Sequence, residues 1–240
     1  MPLNLHMKKQ LLFFFCFLSF AAVAQETELI LPYPMIQRDS LYREDQFYIG
    51  VTYNLISNSP SAFSQDKIST GFFAGVLRDF PINRDRTIAI APGLGISYQN
   101  YHQNLSITGT ASQPIYNIIP SGTYYSKNKI EHYLLDFPIE VRWRTSTPES
   151  HKFWRVYSGL KLSYLLASRS YYADGQNSVV IKNNPDFNKV QAGVYVAMGY
   201  NTWNIYGYYG LTPLLAKSAT IQNNAIGLRA IHLGLQFYIL

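Results

Sequence analysis

The stretch KVQAGVYVAMGYNTWNIYGYYGLTPL, residues 189–214, decides the fold. Its first half alternates strictly: one face carries only apolar or aromatic residues, whereas the other carries mainly small or polar ones such as Gly193. Only Asn201 and Thr202 separate this segment from a second alternating segment. A period of two predicts β-strands, and a two-residue connection predicts that the two strands form an antiparallel hairpin.

The same alternation continues along most of the chain. Eight segments follow it, and each contains the roughly nine to eleven residues that a tilted strand needs to cross a bilayer. We predict antiparallel pairing in chain order, and closure of the sheet by pairing of the last segment with the first. The predicted strands cover approximately residues 47–56, 71–80, 88–101, 130–143, 153–166, 189–200, 203–214 and 226–240.

The connections between these segments alternate in length. Long connections cover residues 57–70, 102–129 and 167–188, short ones cover 81–87, 144–152 and 201–202, and the last, 215–225, is intermediate. Outer-membrane barrels have long external loops and tight periplasmic turns. The sequence therefore predicts an all-β protein, an eight-stranded antiparallel transmembrane β-barrel built as an up-and-down meander. Its termini are expected in the periplasm and its long loops outside the cell.

A soluble barrel of the lipocalin kind, with its apolar face turned inward, is the alternative. Its outer face would be rich in charge, but charged residues are only 14% of this chain, against about 25% in an average globular protein. The lumen of an eight-stranded barrel is just wide enough to be filled with side chains. Small inward residues suit such a lumen, and the predicted ones are Gly93, Gly95, Gly159, Gly193 and Gly199.

The first 24 residues have the features of a secretory signal peptide. Two lysines precede an apolar run at residues 11–22, which ends in a small-residue cleavage site before Gln25. The residues after Met7 form the better n-region, so we expect translation to start there. We predict a signal peptide at residues 1–24, an extended periplasmic leader at 25–45 and an outer-membrane β-barrel at 46–240.

Export and composition exclude several classes of protein. Cys16 is the single cysteine and lies within the predicted signal peptide, so the mature chain contains no disulfide. Removal of Lys8 and Lys9 lowers the formal net charge by two, from +6 to +4, and the remaining basic residues are scattered. We therefore expect no nucleic-acid partner, and outer-membrane lipid is the predicted surrounding of the barrel.

Three kinds of residue test the predicted strands. Pro92, Pro138 and Pro213 are expected within strands, where each removes a ladder hydrogen bond and requires a bulge or a strand end. Arg78 falls on an otherwise apolar face, which leaves the facing of the second strand ambiguous. Aromatic residues are expected at strand ends, as the girdles at a membrane interface; they are Phe47, Tyr98, Tyr101, Tyr133, Trp143, Trp154, Tyr200 and Trp203.

Charged residues alternate along the fourth predicted strand and continue on the fifth. A short turn joins these strands, so carboxylates and cations can pair across the lumen. Because buried charges have to be paired, the pattern predicts a salt-bridge network that plugs the barrel. The functional alternative is a gated polar path or a proton-linked site. The predicted lumen polar network contains His132, Asp136, Glu140, Arg142, Arg155 and Lys161.

Enzymatic sites are the next possibility, because some small outer-membrane barrels carry Ser/His/acid sets at the external rim and modify lipids. His102 lies near that rim, with Ser97 and Ser106 close by in sequence. A nucleophile and its base must lie within about 3 Å, which this spacing does not establish. His132 and His232 are not spaced as metal ligands, and no common hydrolase motif occurs. We predict that the protein is not an enzyme and uses no cofactor or metal.

The long loops are rich in tyrosine and small polar residues. Such residues make an adaptable contact surface, which favours an adhesion or docking role. Hydrated loops among sugar headgroups would have the same composition. The residues in question are Tyr116, Tyr124, Tyr125, Tyr171, Tyr172, Asn183 and Asn184.

The stretch HYLLDFPIEVRWR, residues 132–144, resembles the PorT-like outer-membrane barrel family of bacteria that use type IX secretion. GLGISYQN at residues 93–100 and YGYYGLTPL at 206–214 resemble neighbouring segments of that family, as does the apolar strand at the end of the chain. The resemblance covers approximately residues 46–240. It implies an eight-stranded barrel in the cell outer membrane and a part in type IX secretion or gliding, with secretion-machinery or other envelope proteins as partners. No catalytic residues carry over.

These observations predict a non-enzymatic outer-membrane barrel with a structural or accessory role. A lipid-modifying enzyme with its site at the external rim is one alternative. A minor solute channel is the other.

Overall fold

The computed structural model describes residues 45–83, 85–145 and 154–239. The predicted signal peptide and nearly all of the predicted leader lie outside the described residues, so both stay predictions. In the described ranges, no helix is long and apolar enough to cross a membrane. The strands are β1 (Gln46–Ser57), β2 (Thr70–Leu77), β3 (Phe80–Pro81), β4 (Ile88–His102), β5 (Leu105–Gly109), β6 (Pro114–Ile118), β7 (Lys127–Arg144), β8 (Trp154–Ala173), β9 (Ser178–Lys182), β10 (Val190–Tyr200), β11 (Trp203–Gly210), β12 (Thr220–Ile221), β13 (Asn224–Ala225) and β14 (Arg229–Ile239).

Eight of these strands close a barrel. The ring runs β1–β2–β4–β7–β8–β10–β11–β14 and back to β1, and every neighbouring pair is antiparallel. The closing seam pairs β14 with β1 from Phe47↔Ile239 to Ser57↔Arg229. The predicted fold class and the predicted closure are therefore confirmed.

The two faces of the wall separate as the alternation predicts. Side chains on the outward face are apolar and exposed, including Phe47, Ile49, Val51, Phe72, Val76, Ile96, Phe137, Ile139, Leu160, Leu162, Val196, Met198 and Ile205. Side chains on the inward face are polar or aromatic and buried, including Tyr48, Thr52, Asn54, Gln99, Asp136, Glu140, Arg142, Tyr157, Lys161, Tyr195 and Tyr206. Small inward residues make room for these rings: a Cβ on Gly193 would lie 2.4 Å from the Tyr208 ring.

The strand bounds differ from the predicted ones mainly on one side of the barrel. β8 continues to Ala173, seven residues beyond its predicted end, because β9 pairs with its last part. In contrast, β11 ends at Gly210 and β14 begins at Arg229. β2 ends at Leu77, so Arg78 lies beyond the strand and pairs with Asp45, with 2.9 Å between Nη1 and Oδ2. The ambiguity about its facing is thereby resolved.

The prolines lie where the ladder is already interrupted. Pro92 pairs with Ile139, and its carbonyl accepts the N–H of Arg78, just past the end of the β2–β4 ladder. Pro138 faces a gap of two pairs in the β4–β7 ladder, between Pro92↔Ile139 and Gly95↔Asp136. The prediction for Pro213 is wrong, because it follows β11 in a loop. A closed barrel therefore accommodates two in-strand prolines at its own ladder gaps.

The ends of the barrel differ in their aromatic residues. At the short-turn end, β1 begins and β14 ends. This end has an exposed girdle of Phe47, Trp143, Trp154, Tyr200 and Trp203. Opposite this girdle, at the long-loop end, Tyr98 and Tyr133 pack with ring centroids 5.2 Å apart. Tyr101 was expected in a girdle, but this prediction is wrong. Its ring points into the lumen and is 1% exposed.

The connections at the long-loop end pack on one another and form a cap, which we define as residues 58–69, 103–126, 174–189 and 211–228. The cap has an apolar core with β5, β6 and β9 on its sides; the buried members include Leu105, Ile107, Tyr116, Ile181, Phe187, Leu214, Leu215, Ile226 and Leu228. This core explains why β11 stops early, since Leu214 turns inward instead of continuing the wall. The long loops are therefore an ordered layer over the lumen.

Candidate functional site

The lumen near the short-turn end is filled by a charged layer, which we define as Asp79, Glu140, Arg142, Arg144 and Arg155. Asp79 accepts hydrogen bonds from two guanidinium groups: Arg144 donates from Nη1 and Nη2 at 3.0 and 2.9 Å, and Arg142 donates from Nη1 at 3.0 Å. The side chains of these three residues are completely buried. Asp79, Glu140, Arg142 and Arg144 are thus linked by buried ion pairs, and the layer closes this end of the lumen.

Glu140 joins this layer to the tyrosines of the far wall. Its Oε2 accepts from Arg142 Nε at 2.9 Å, and its Oε1 accepts from the hydroxyls of Tyr195 and Tyr238 at 3.0 and 2.9 Å. Three hydrogen-bond donors, from β7, β10 and β14, thus meet at one carboxylate. Arg155 lies beside it, with its guanidinium carbon 5.5 Å from the Tyr238 ring centroid.

A second ion pair lies farther along the lumen. Lys161 Nζ is 3.7 Å from Asp136 Oδ2, and Ser163 donates to Asp136 Oδ1 at 2.5 Å. Lys161 also lies over the Tyr208 ring, 4.5 Å from its centroid. A cavity of about 10 Å³ adjoins the pair, which is the space of about one water molecule. Side chains therefore fill the middle of the lumen as well.

The histidines form a separate layer under the cap. His232 Nε2 and the hydroxyl of Tyr101 are 2.8 Å apart, and the Tyr208 ring stacks on His232 at 4.8 Å. His132 packs edge-on against Phe187 of the cap at 4.6 Å, and neither of its ring nitrogens has a hydrogen-bond partner among the described residues. The predicted network is therefore split: its five charged members lie in the two ion-paired regions, whereas His132 belongs to an aromatic layer.

Several residues of the charged layer were not predicted from the sequence. Asp79 and Arg144 were not selected, although both continue the inward alternation of their strands by one step. Because the facing of Arg78 was ambiguous, the facing of its neighbour Asp79 was undecided as well. Arg144 lies one residue beyond the predicted end of the fourth strand, where the short turn was expected. Tyr195 and Tyr238 were on predicted inward or polar faces, but a tyrosine gives no sequence signal for hydrogen bonding to a buried carboxylate.

The three residues considered for a rim enzyme do not come together. Ser97 and His102 are five residues apart on β4, so their side chains leave opposite faces, at a separation of about 16 Å along the strand. Ser106 lies on β5, and its hydroxyl donates to the carbonyl of Asn117 at 3.1 Å. This set therefore has no catalytic geometry. Within the described ranges, no group of three or more potential ligands could hold a metal ion.

The cap is held together by side chains that link its loops. Tyr116 donates to Asp186 Oδ2 at 2.8 Å and accepts from Asn184 at 2.8 Å, while Ser218 donates to Asp186 Oδ1 at 2.7 Å. Burial raises the pKa of the Tyr116 hydroxyl above its ordinary value of 10.0, so this group stays a donor. Asn104 links the first two loops, since it donates to Ala62 at 2.8 Å.

These contacts change the interpretation of the loop residues. Tyr116 and Asn184 were expected on a contact surface, but they are 7% and 3% exposed and belong to the interior of the cap. Tyr124 is 73% exposed and remains available for contact. A cleft of about 590 Å³ opens on the cap between the first loop, β6 and the β12–β13 hairpin, and residues such as Pro60, Asn117 and Gln222 line it.

Two solved structures are weakly similar to this chain. Neisserial surface protein A is 13% identical, with a TM-score of 0.37, and the match covers 81% of this chain and 96% of that one. Ail, the attachment invasion locus protein of Yersinia pestis, is 11% identical, with a TM-score of 0.35 and coverage of 82% and 100%. No curated protein sequence matches the chain.

The family model provides the assignment. The model described as "Outer membrane protein beta-barrel domain" matches residues 24–216, which is most of the chain. Its description agrees with the closed ring of eight strands, the exposed apolar outer wall and the buried polar lumen. This chain belongs to the outer membrane protein beta-barrel domain family, and it is a protein of the outer membrane.

Proposed function

We propose that the protein is a non-enzymatic accessory barrel, which holds an ordered cap at the membrane surface for contact with other envelope proteins. Two observations carry this proposal: the lumen is filled by side chains that include paired charges, and the loops above it are linked into a single layer. A channel requires an open path, and a rim enzyme requires an assembled catalytic set. A protein that holds a rigid contact surface requires neither an open path nor a catalytic set. The filled lumen and the linked loops both stabilise such a surface.

The orientation and processing of the chain are part of this proposal. The short-turn end faces the periplasm and the cap lies outside the cell, as in barrels with long external loops. The signal peptide directs export of the chain and is cleaved between Ala24 and Gln25. N-terminal sequencing of the purified protein tests the cleavage. Protease treatment of intact cells tests the topology, and cleavage at the exposed Tyr124 loop is the expected result.

The resemblance to PorT-like barrels supports a more specific role, in type IX secretion. In this proposal the cleft and the exposed residues around it contact a component of the secretion machinery. A deletion strain is expected to accumulate type IX cargo inside the cell, and the intact gene is expected to restore export. Normal export of cargo in the deletion strain would refute the secretion role.

Two further measurements test the non-enzymatic accessory barrel itself. Planar-bilayer recordings of the purified protein are expected to show no discrete conductance steps, because the charged layer blocks the lumen. The lipid A profile of the deletion strain is expected to be unchanged. Regular single-channel steps would instead support the solute channel, and an altered lipid A profile would support the lipid-modifying enzyme.

A further inference from the structure

The outer wall at the long-loop end has a cluster of basic residues, which we call the basic patch: Lys67, Lys127, Lys129, Arg169 and Lys182. Elsewhere the outward face of the barrel strands is mainly apolar, so a cluster of cations here is unexpected. Lys127 and Lys129 lie on β7, Arg169 on β8 and Lys182 on β9, and Lys67 reaches them from the first loop.

The register of the strands places these residues side by side. Glu131 pairs with Arg169, which pairs with Lys182, so the three side chains stand in one row on the same face. The next row toward the cap begins with Lys129 and Tyr171. Lys127 Nζ is 4.5 Å from the centroid of the Tyr171 ring, and Lys129 Nζ is 5.2 Å from it. The patch is thus one surface, assembled by three adjacent strands.

The patch has more positive charge than its neighbours neutralise. Of its five cations, Lys129 is ion-paired with Glu131, and within the described residues the other four form no salt bridge. Glu131 is committed to Lys129, which forms an ion pair with it, and to the Tyr98 hydroxyl, which donates to it at 3.1 Å. Lys127, Arg169 and Lys182 are exposed. Exposed cations grouped in this way attract anions, and arginine in particular forms paired hydrogen bonds to phosphate.

An apolar groove begins directly below the patch. It has a volume of about 550 Å³ and lies on the outer wall, around the small side chain of Ala74 on β2. Ala74 pairs with Ile49 on one side and with Ile96 on the other, and these larger residues form the sides of the groove. Its other lining residues include Phe72, Tyr98, Tyr133 and Leu166.

Tyr98 and Tyr133 connect the groove to the patch. Both rings line the groove, Tyr98 donates to Glu131, and the Arg169 guanidinium carbon lies 5.8 Å from the Tyr133 ring centroid. A ligand that fits both parts needs an anionic head and an apolar chain attached to it. In the outer membrane, this description corresponds to a phosphorylated lipid with its headgroup at the interface and its chain along the wall.

We propose that the basic patch and the Ala74 groove form a binding site for one phosphorylated lipid of the outer membrane. The lipid phosphate binds Lys127, Arg169 and Lys182, and one acyl chain lies in the groove. Charge complementarity selects the phosphate, and the depth of the groove at Ala74 selects the chain. The site lies on the outer wall, apart from the lumen and the cleft of the cap, so it is independent of the proposed accessory role.

Lipid A, which carries phosphates on a glucosamine head, is the probe for this site. The full-length mature protein, folded in a non-ionic detergent, is titrated with lipid A, with dephosphorylated lipid A and with inorganic phosphate, and bound lipid is measured by native mass spectrometry. Lipid A is expected to bind at least tenfold more tightly than the other two. Equal binding of the dephosphorylated lipid would overturn the proposal, as would complete competition by inorganic phosphate at the concentration of the lipid.

Two pairs of variants locate the site. The triple variant K127Q/R169Q/K182Q keeps the Lys129–Glu131 pair and is expected to bind lipid A at least tenfold more weakly. Its control, K189Q/K217Q/R229Q, removes the same charge outside the patch and is expected to bind normally. Equal affinities of the two triple variants would refute the role of the patch.

The second pair of variants tests the groove. Ala74→Leu fills the groove without changing charge, and it is expected to weaken lipid A binding severalfold. Ala192→Leu adds the same volume to the outward face of β10 and is expected to have no effect. All four variants are first checked for the heat-dependent gel mobility of a folded barrel. If Ala74→Leu binds lipid A as tightly as Ala192→Leu does, the acyl chain does not occupy the groove.

Discussion

The two ends of the lumen are closed in different ways. At the short-turn end, Asp79 and Glu140 form ion pairs with Arg142 and Arg144 from the barrel wall, and Arg155 lies beside them. At the long-loop end, the cap covers the lumen with an apolar core, and Phe187 packs directly on His132. The first closure consists of charges held by strands, and the second of apolar side chains held by loops.

This difference determines how each end responds to change. A buried ion pair depends on both partners, because removing one leaves an uncompensated buried charge. An apolar layer that a few hydrogen bonds link together loses mainly the contact that is removed. We therefore expect the charged layer to be sensitive to single substitutions and the cap to tolerate them, with each effect confined to its own end.

The largest effect is expected from Asp79→Asn. The substitution removes the charge that pairs with Arg142 and Arg144 and leaves their guanidinium groups without that counterion in a buried layer. The free energy of unfolding is expected to fall by about 3–5 kcal/mol, as measured by urea titration of the protein in lipid vesicles.

Asp45→Asn is the matched control for this substitution. Asp45 also pairs with an arginine at 2.9 Å, but the side chains of Asp45 and Arg78 are 44% and 57% exposed. Exposed pairs contribute about 0–1 kcal/mol, so the control is expected to unfold almost as the unsubstituted protein does. Equal losses for the two variants would show that burial of the charged layer does not determine its contribution.

The next largest effect concerns the wall that both ends share. A Cβ on Gly234 of β14 would lie 2.0 Å from the carbonyl oxygen of Val51, which is backbone and cannot move aside alone. Gly234→Ala is therefore expected to cost about 2–3 kcal/mol of unfolding free energy. Gly207→Ala, whose Cβ would have no neighbour closer than 3.8 Å, is expected to be nearly neutral in the same urea titration.

The contrast between a closure built by strands and one built by loops also explains which parts of the structure could be predicted from the sequence. Side chains such as Glu140 and Arg142 alternate within a strand, so a period of two was enough to place them in the lumen and to predict that they pair. Asp79 was not predicted to lie in the charged layer, because β2 ends before this residue. The end of a strand leaves no periodic pattern in the sequence. The cap was least predictable: Tyr116 and Asp186 are 70 residues apart and meet through loop packing alone.

In the cap, Tyr116→Phe tests whether a contact between loops stabilises the cap alone or the whole barrel. The variant loses the hydroxyl that donates to Asp186 and accepts from Asn184. We expect a loss of about 1.5 kcal/mol in the opening free energy of the cap, as measured by amide exchange at residues 184–188, with the urea midpoint of the barrel unchanged. Tyr124→Phe, at an exposed position, is the control and should not alter exchange. A lower urea midpoint for Tyr116→Phe would show that the cap and the wall unfold as one unit.

The smallest effect is expected at the turn between β8 and β9, at the edge of the cap. The backbone N–H groups of Asn177 and Gln176 donate to Asp174, and they lower the pKa of this carboxyl below its ordinary value of 3.8. A lowered pKa in the folded state stabilises the turn above pH 3.8, and this contribution is lost as the pH falls through the folded-state pKa. Amide exchange at these two residues is therefore expected to accelerate in that acidic range, beyond the intrinsic effect of pH. Because Asp174→Asn has no carboxyl to titrate, it should show no such acceleration, and the same acceleration in this variant would assign the effect to another group of the cap.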